Sequence, residues 1–309
     1  MMNNGLFILS LLITSALFAQ TEAAITPFDA VLNEFTNVRD FCLSKDGQEA
    51  FFTVQSPGQE LSQLAYIKKE KKGWSAPELL PLNAAYKYLE PFLSYDNNRL
   101  FFVSDRPLEN TTEDKKDFDI WYVDRKNNTA EWSSPKNLGA PVNSALDEFY
   151  PSVSKNDNLY FTMVAPEGLG EDDLYLCTWE NGKYSKPVLL NENINSAGYE
   201  FNAFIAEKED FIIFSRYNET DGQGSGDLYL AKKDSNGVWQ PAKNLGIPIN
   251  TKYMDYCPFY DAQHQQLYFT SKRNALTPKA FESMATFKTY LEDSKNGLSK
   301  IYQVHLKID

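Results

Sequence analysis

The sequence predicts an all-β ring, a five-bladed β-propeller of four-stranded antiparallel blades. Three observations carry that prediction. An asparagine preceded by Leu, Val or Ile recurs at Asn33, Asn83, Asn143, Asn195 and Asn250, at periods of 50 to 60 residues, the range of strand-built repeats. Eight residues after each asparagine stands the same place in the repeat, at Phe41, Pro91, Pro151, Ala203 and Pro258. That spacing never slips, so length variation belongs to loops elsewhere. Finally, the fifth repeat ends after its third strand pattern, while residues 25–32 precede the first asparagine with no repeat of their own. An N-terminal strand that completes the C-terminal blade accounts for both ends and closes the ring.

Each unit begins with a short first strand (FCLS, PFLS, PSVS, AFIA, PFYD). Polar turns such as KDGQ, YDNN and KNDN follow, the Asp, Asn and Gly chemistry of hairpins. The second strand (EAFFTV, RLFFVS, LYFTMV, FIIFSR, QLYFTS) is aromatic and β-branched, as a strand buried on both faces requires. The third (LAYIKK, DIWYVDR, DLYLCTW, DLYLAKK, KIYQVHL) alternates, leaving one face partly exposed. The fourth segment (GWSAPELL, EWSSPKNLG, KYSKPVLL, VWQPAKNLG) carries a proline that cannot donate to a ladder, which assigns it to the outer edge. The fifth unit alone is interrupted, by residues 277–297. Thr277 is a cap, Pro278 suits a first helical position and Gly297 a stop. Phe281, Met284, Ala285, Lys288 and Leu291 then share one helical face, expected to pack onto the propeller. A sixth blade would have to hide in 274–297, against that helical pattern.

Pro91, Leu93, Ser94, Asp96, Leu100, Phe102 and Ser104 in the second unit, and Leu43, Ser44, Asp46, Gly47 and Phe52 in the first, resemble the TolB-type, WD-like propeller repeat. The resemblance departs at Lys45 and Tyr95, where the repeat usually has proline, and at Asn97, where it has glycine. The fourth unit keeps only the hydrophobic frame. The resemblance implies one propeller domain over 25–309. It leaves function open, because such propellers host binding, scaffolding and catalysis alike.

A formal charge of −12 argues against nucleic acid or an anionic membrane surface as partner, since phosphate binding needs clustered Lys and Arg. Residues 6–17 are apolar but too few to span a bilayer, and Ala16, Ala19, Ala23 and Ala24 follow or close the run. That pattern predicts a signal peptide over 1–19 and an exported protein, periplasmic or extracellular, not embedded in a membrane. The three cysteines, Cys42, Cys177 and Cys257, leave at least one thiol outside any intrachain pair. Cys42 and Cys257 fall in the first strands of neighbouring units but out of register, a poor basis for a disulfide. Two scattered histidines and the lack of a Cys/His cluster give zinc or histidine chemistry nothing to work with.

Strand alternation puts the crossings between units and the loops between second and third strands on one, loop-rich face. Five residues after each asparagine come Val38, Tyr88, Glu148, Glu200 and Asp255. The three acids, with Glu90 nearby, are candidates for a carboxylate-lined channel mouth. Such a mouth needs no cofactor but could hold a hard cation such as Ca²⁺, or do acid–base work on a glycan. Alternatively, each carboxylate accepts backbone N–H bonds and braces a crossing. Arg106, Arg216 and Arg273 follow or end second strands, where they can pair with third-strand acids or line a polar groove. Residues 221–227 faintly resemble a calcium loop without its closing glutamate. There is no phosphate loop, no nucleophile elbow and no sialidase-type Asp box. The sequence therefore points to a non-enzymatic propeller that binds a protein, peptide or glycan on its loop-rich face. The alternatives are a carbohydrate-active enzyme using Glu90, Glu148, Glu200 and Asp255, and a structural component of an envelope complex.

Overall fold

Hydrogen bonding gathers the strands into five antiparallel blades, as the repeats require. The computed structural model describes residues 24–82, 86–108 and 117–308; the expected signal peptide lies outside them. From the axis outwards, blade 1 comprises Asn37–Leu43, Glu49–Gln55, Ser62–Glu70 and Glu78–Leu79. Blade 2 comprises Tyr88–Leu93, Arg99–Ser104, Asp119–Asp124 and Lys136–Asn137, and blade 3 Glu148–Val153, Leu159–Met163, Asp173–Cys177 and Val188–Leu189. Blade 4 comprises Glu200–Ile205, Phe211–Tyr217, Gly226–Lys232 and Lys243–Asn244. In blade 5, Asp255–Asp261, Gln266–Ser271 and Lys300–His305 are completed by Thr26–Pro27 from the N-terminus. Each outermost strand pairs over only two residues. In blades 1 to 4 it begins directly after Pro77, Pro135, Pro187 or, one residue later, Pro241, where the missing N–H delays pairing.

The seam is bonded and packed. Phe28 N–H donates to Ile301 O at 2.9 Å, and the Phe28 ring lies 4.6 Å from Phe41 of blade 1 and 5.8 Å from Tyr268 of blade 5. One aromatic side chain of the closing segment thus ties the first blade to the last.

The core is a set of radial slabs between blades. Second strands are buried on both faces, so alternate residues enter different slabs. Phe52 joins Tyr268 and Ile301 between blades 1 and 5, while Phe51 joins Leu100, Phe102 and Trp121 between blades 1 and 2. Phe101 and Phe161 fill the slab between blades 2 and 3, and Tyr160 and Phe214 the next. Truncating Phe51, Phe52, Phe161 or Phe214, all fully buried, to alanine removes about 3–5 kcal/mol.

Three of the recurrent asparagines are struts. Asn143, Asn195 and Asn250 each accept an N–H and donate to the C=O of one third-strand residue, Ile120, Leu174 and Leu228 respectively, at 2.8–3.0 Å. The side-chain amide imitates a strand partner where the chain leaves the sheet.

Two expectations are corrected. The insertion's helix starts at Met284, not at Pro278, because Ser283 and Thr286 form a capping box. None of its residues is buried, and Met284 is 77 % exposed. Phe281 packs on Phe287 and Tyr290 within the insertion, so its aromatics are satisfied locally and the stripe does not pack onto the propeller. The three cysteines are free thiols, and all are buried.

Candidate functional site

Every innermost strand carries a bulge at the same place, where one extra residue enters between the sixth and ninth positions after the asparagine. The seventh residue adopts the left-handed conformation in all five blades: Asp40 (φ 60°), Glu90 (60°), Tyr150 (49°), Asn202 (52°) and Cys257 (52°). None is glycine, so each costs roughly 1–2 kcal/mol of backbone strain. Bulges re-aim side chains, and here they produce a ring about the axis. Glu90 N–H donates to Asp40 Oδ2 at 3.3 Å and Tyr150 N–H to Glu90 Oε2 at 2.7 Å. The Cys257 thiol donates to Asp40 Oδ1 at 2.9 Å. Arg39 closes the constellation, with Nε 2.7 Å from Asp40 Oδ1 and Nη2 3.0 Å from Glu90 Oε1. Its guanidinium carbon lies 5.2 Å from the Tyr256 ring centroid.

Burial dominates the electrostatics of this ring. It pushes the Glu90 carboxyl up to about 8, with Asp40 adding to the shift and Arg39 opposing it. It also raises the Cys257 thiol well above its ordinary range, reinforced by Asp40. The Cys257 sulfur is therefore a hydrogen-bond donor held as a thiol, not an activated nucleophile.

The other candidate acids start their strands as the repeat places them, each tied to its own crossing. Glu200 accepts from Ser196 N–H and Ser196 Oγ at 2.7 Å and meets Arg216 Nε at 3.2 Å. Asp255 accepts from Thr251 N–H and Oγ1 at 2.7 Å, and Arg273 Nη2 lies 3.0 Å away. Glu148 accepts from Ser144 N–H at 3.2 Å and from Ser144 Oγ. Burial raises Glu200 and Asp255 above the usual carboxylate range, against the bonds and arginines that hold them ionised. Arg106 stacks over Trp121 at 4.8 Å in blade 2, where Tyr88 occupies the acid's place. Asp255 and Arg273 are thus brought together and Glu90 joins the axial ring, whereas Glu148 and Glu200 sit in blades of their own. Arg39, Asp40, Tyr150 and Asn202 were not singled out in the sequence, and Cys257 was weighed there only for a disulfide. The signal that finds the last four is their constant seventh place after the asparagine, and Arg39 directly precedes the first of them.

Among the described residues no group of three or more His, Cys, Asp or Glu is placed to hold a metal ion. In the 221–227 loop, Asp221 accepts from the Tyr229 hydroxyl and Asp227 from Asn244 Nδ2 at 3.1 Å.

An open cavity of about 570 Å³ lies on the opposite, hairpin face. Its wall is the end of every innermost strand: Leu43, Leu93, Val153, Ile205 and Tyr260. Phe92, Phe204 and Phe259 form the floor, with ring centroids 5.2–6.3 Å apart. At the rim, Lys45 of blade 1 donates to Glu207 of blade 4 at 2.6 Å. These blades are not neighbours, so the ion pair spans the mouth. Tyr95 lies beneath two cations, Lys45 at 4.8 Å and Lys155 at 4.9 Å.

No protein-family model matches the chain, and no curated protein does. Solved structures match in fold. The structure of a BT0996 RGII complex aligns over 87 % of this protein and 86 % of its own length, with TM-score 0.58 at 11 % identity. The catalytic domain of a GH62 α-L-arabinofuranosidase from Coprinopsis cinerea aligns over 92 % and 96 %, with TM-score 0.51 at 11 % identity. A putative TolB from Agrobacterium tumefaciens aligns over 76 % and 69 %, with TM-score 0.48 at 11 % identity. At such identities the similarity is one of propeller fold.

Proposed function

We propose that this protein is an exported, non-enzymatic propeller that binds a partner, a protein, peptide or glycan, at the hairpin-face cavity. One observation carries the reading. Both carboxylate oxygens of Asp40, Glu90, Glu200 and Asp255 are engaged by protein donors, so these four acids serve as braces, and Glu148 is tied to Ser144 through Oε1. A glycosidase needs one open carboxylic acid and one open carboxylate flanking a bond. The cavity instead offers an aromatic floor and a rim of mixed charge, Lys45, Lys208, Glu207, Asp210 and Asp261, the make-up of a recognition pocket. Its apolar depth suits an apolar side chain of a peptide segment, whose flanking polar groups would meet the rim. Export rests on the apolar run and small residues of the N-terminus. No helix among the described residues is long and apolar enough to cross a membrane.

The test is affinity capture from the cell envelope with the wild type and with Ala262→Trp, a substitution at an exposed residue lining the cavity. The reading expects a partner retained by the wild type and lost by the variant at an unchanged thermal midpoint. Equal capture by both proteins, or glycan hydrolysis that Glu200→Gln abolishes, would overturn it.

A further inference from the structure

The repeat builds a cation onto the aromatic of its fourth segment in three blades. Lys69 lies 4.6 Å over Trp74, Arg125 4.4 Å over Trp132 and Lys233 4.6 Å over Trp239. Two of these cations also fill the cleft towards the preceding blade. Arg125 reaches Glu49 of blade 1, with Nη1 3.1 Å from Oε1. Lys233 lies 3.6 Å from Glu209, which itself accepts from Ser154, Asn158 and Tyr160 of blade 3.

Blade 3 breaks the rule. The cations stand six residues after Gln63, Asp119 and Asp227 of their third strands, and the same place, six after Asp173, is Trp179. Its ring stands edge-on to Tyr184, the fourth-segment aromatic, at 4.6 Å. On the facing wall blade 2 has Arg99 where blade 1 has Glu49. With no cation reaching across, the cleft between blades 2 and 3 stays open, with a volume of about 360 Å³, within the range of small-ligand sites.

Its polar groups are available. Arg99 gives Nε to Asp124 at 2.7 Å; among the described residues its two terminal nitrogens carry no hydrogen bond, nor do the Asp157 carboxylate, the Tyr184 hydroxyl or the Trp179 indole nitrogen. Arg125 is committed to Glu49, and Asp96 to Ser94 and Asn98. What remains is a planar donor fork, a free acceptor and an aromatic corner. An anion would face Asp96, Asp124 and Asp157, and a cation would face Arg99. A neutral polyol meets both signs, since each hydroxyl donates and accepts, while the C–H face of its ring covers an aromatic side chain.

We propose that the cleft between blades 2 and 3 is a carbohydrate-binding site, in which a neutral sugar ring packs on Trp179 and Tyr184 and is hydrogen-bonded by Arg99 and Asp157. The site shares only Ser94 with the axial cavity and does not depend on a partner binding there.

The test titrates the full-length protein with xylotriose, cellotriose, laminaritriose and maltotriose to millimolar concentration, followed by tryptophan fluorescence and calorimetry. It compares the wild type with Trp179→Ala, Arg99→Met and Ala262→Trp. At least one trisaccharide is expected to bind saturably. Trp179→Ala and Arg99→Met should each weaken it at least about tenfold, while Ala262→Trp leaves it unchanged. Asp124 keeps Lys136 at 3.0 Å in the Arg99 variant, so that protein reports on the site even if the Trp179 variant fails to fold. Failure of all four sugars to bind, wild-type affinity in both cleft variants, or loss confined to Ala262→Trp would overturn the assignment.

Discussion

Arg39 Nη2 stands 3.0 Å from Glu90 Oε1, so a cation of the first blade is bonded to a carboxylate of the second at the centre of the ring. Asp40, on the same guanidinium, accepts from Cys257 of the fifth blade. The first and last blades therefore meet twice, at the outer seam and at the axis. The ring is braced from its middle by buried ionisable groups.

Glu90 makes the axis sensitive to pH. Burial and Asp40 raise its carboxyl from an ordinary 4.5 to about 8 despite Arg39. A carboxyl raised by folding contributes stability fully below its unfolded value, and that contribution is lost as pH rises through the folded value. Between the two, the loss is about 1.4 kcal/mol per pH unit. Midpoints taken from about pH 5 to about pH 8 should fall more steeply for the wild type than for Glu90→Gln. Parallel profiles would contradict this account of the ring.

Removing the acid of a buried pair leaves its partner exposed to the full desolvation cost. Asp255 is fully buried against Arg273, so Asp255→Ala should destabilise the fold by about 3–5 kcal/mol, measured by urea unfolding. A change below about 1 kcal/mol would place the pair among surface ion pairs.

Two glycines allow loops to touch crossings. A Cβ at Gly170 would stand 2.3 Å from Gly198 O, and one at Gly224 2.3 Å from Thr251 O. Both obstacles are backbone, so Gly170→Ala and Gly224→Ala should each cost about 1–3 kcal/mol. Unchanged midpoints would show that these loops do not rest on the crossings.

Residues 25–32 close the ring, and their deletion should strip hydrogen-exchange protection from Lys300–His305 while blades 2 and 3 keep theirs. Protection retained across Lys300–His305 would contradict closure by the N-terminal strand.

The fold was legible because its signals are periodic. In blades 2, 3 and 4 an asparagine, Asn143, Asn195 or Asn250, marks a backbone strut at a fixed place, and the aromatic second strands announce burial on both faces. The N-terminal segment fitted the gap that the fifth unit leaves. The site was less legible. Glu148, Glu200 and Asp255 stood out as charges, but one residue type serves a mouth or a brace equally well, and only the positions of Ser144, Ser196, Thr251 and the arginines separate the two. The axial ring escaped notice because its five members share no chemistry. Asp, Glu, Tyr, Asn and Cys are united by a left-handed backbone that non-glycine residues do not advertise. The insertion misled because a helical stripe does not say what covers it, and Phe281, Phe287 and Tyr290 cover one another.

The measurement that tests the central claim most directly is the thermal midpoint of Glu200→Gln, taken with a glycan-hydrolysis assay of the same protein. Glu200 is fully buried and holds Ser196 and Arg216. The account predicts a loss of about 3 kcal/mol, a midpoint lower by roughly 6–12 °C, and no hydrolysis by either the wild type or the variant. An unmoved midpoint, with hydrolysis present in the wild type and absent in the variant, would contradict it and make Glu200 a catalytic acid.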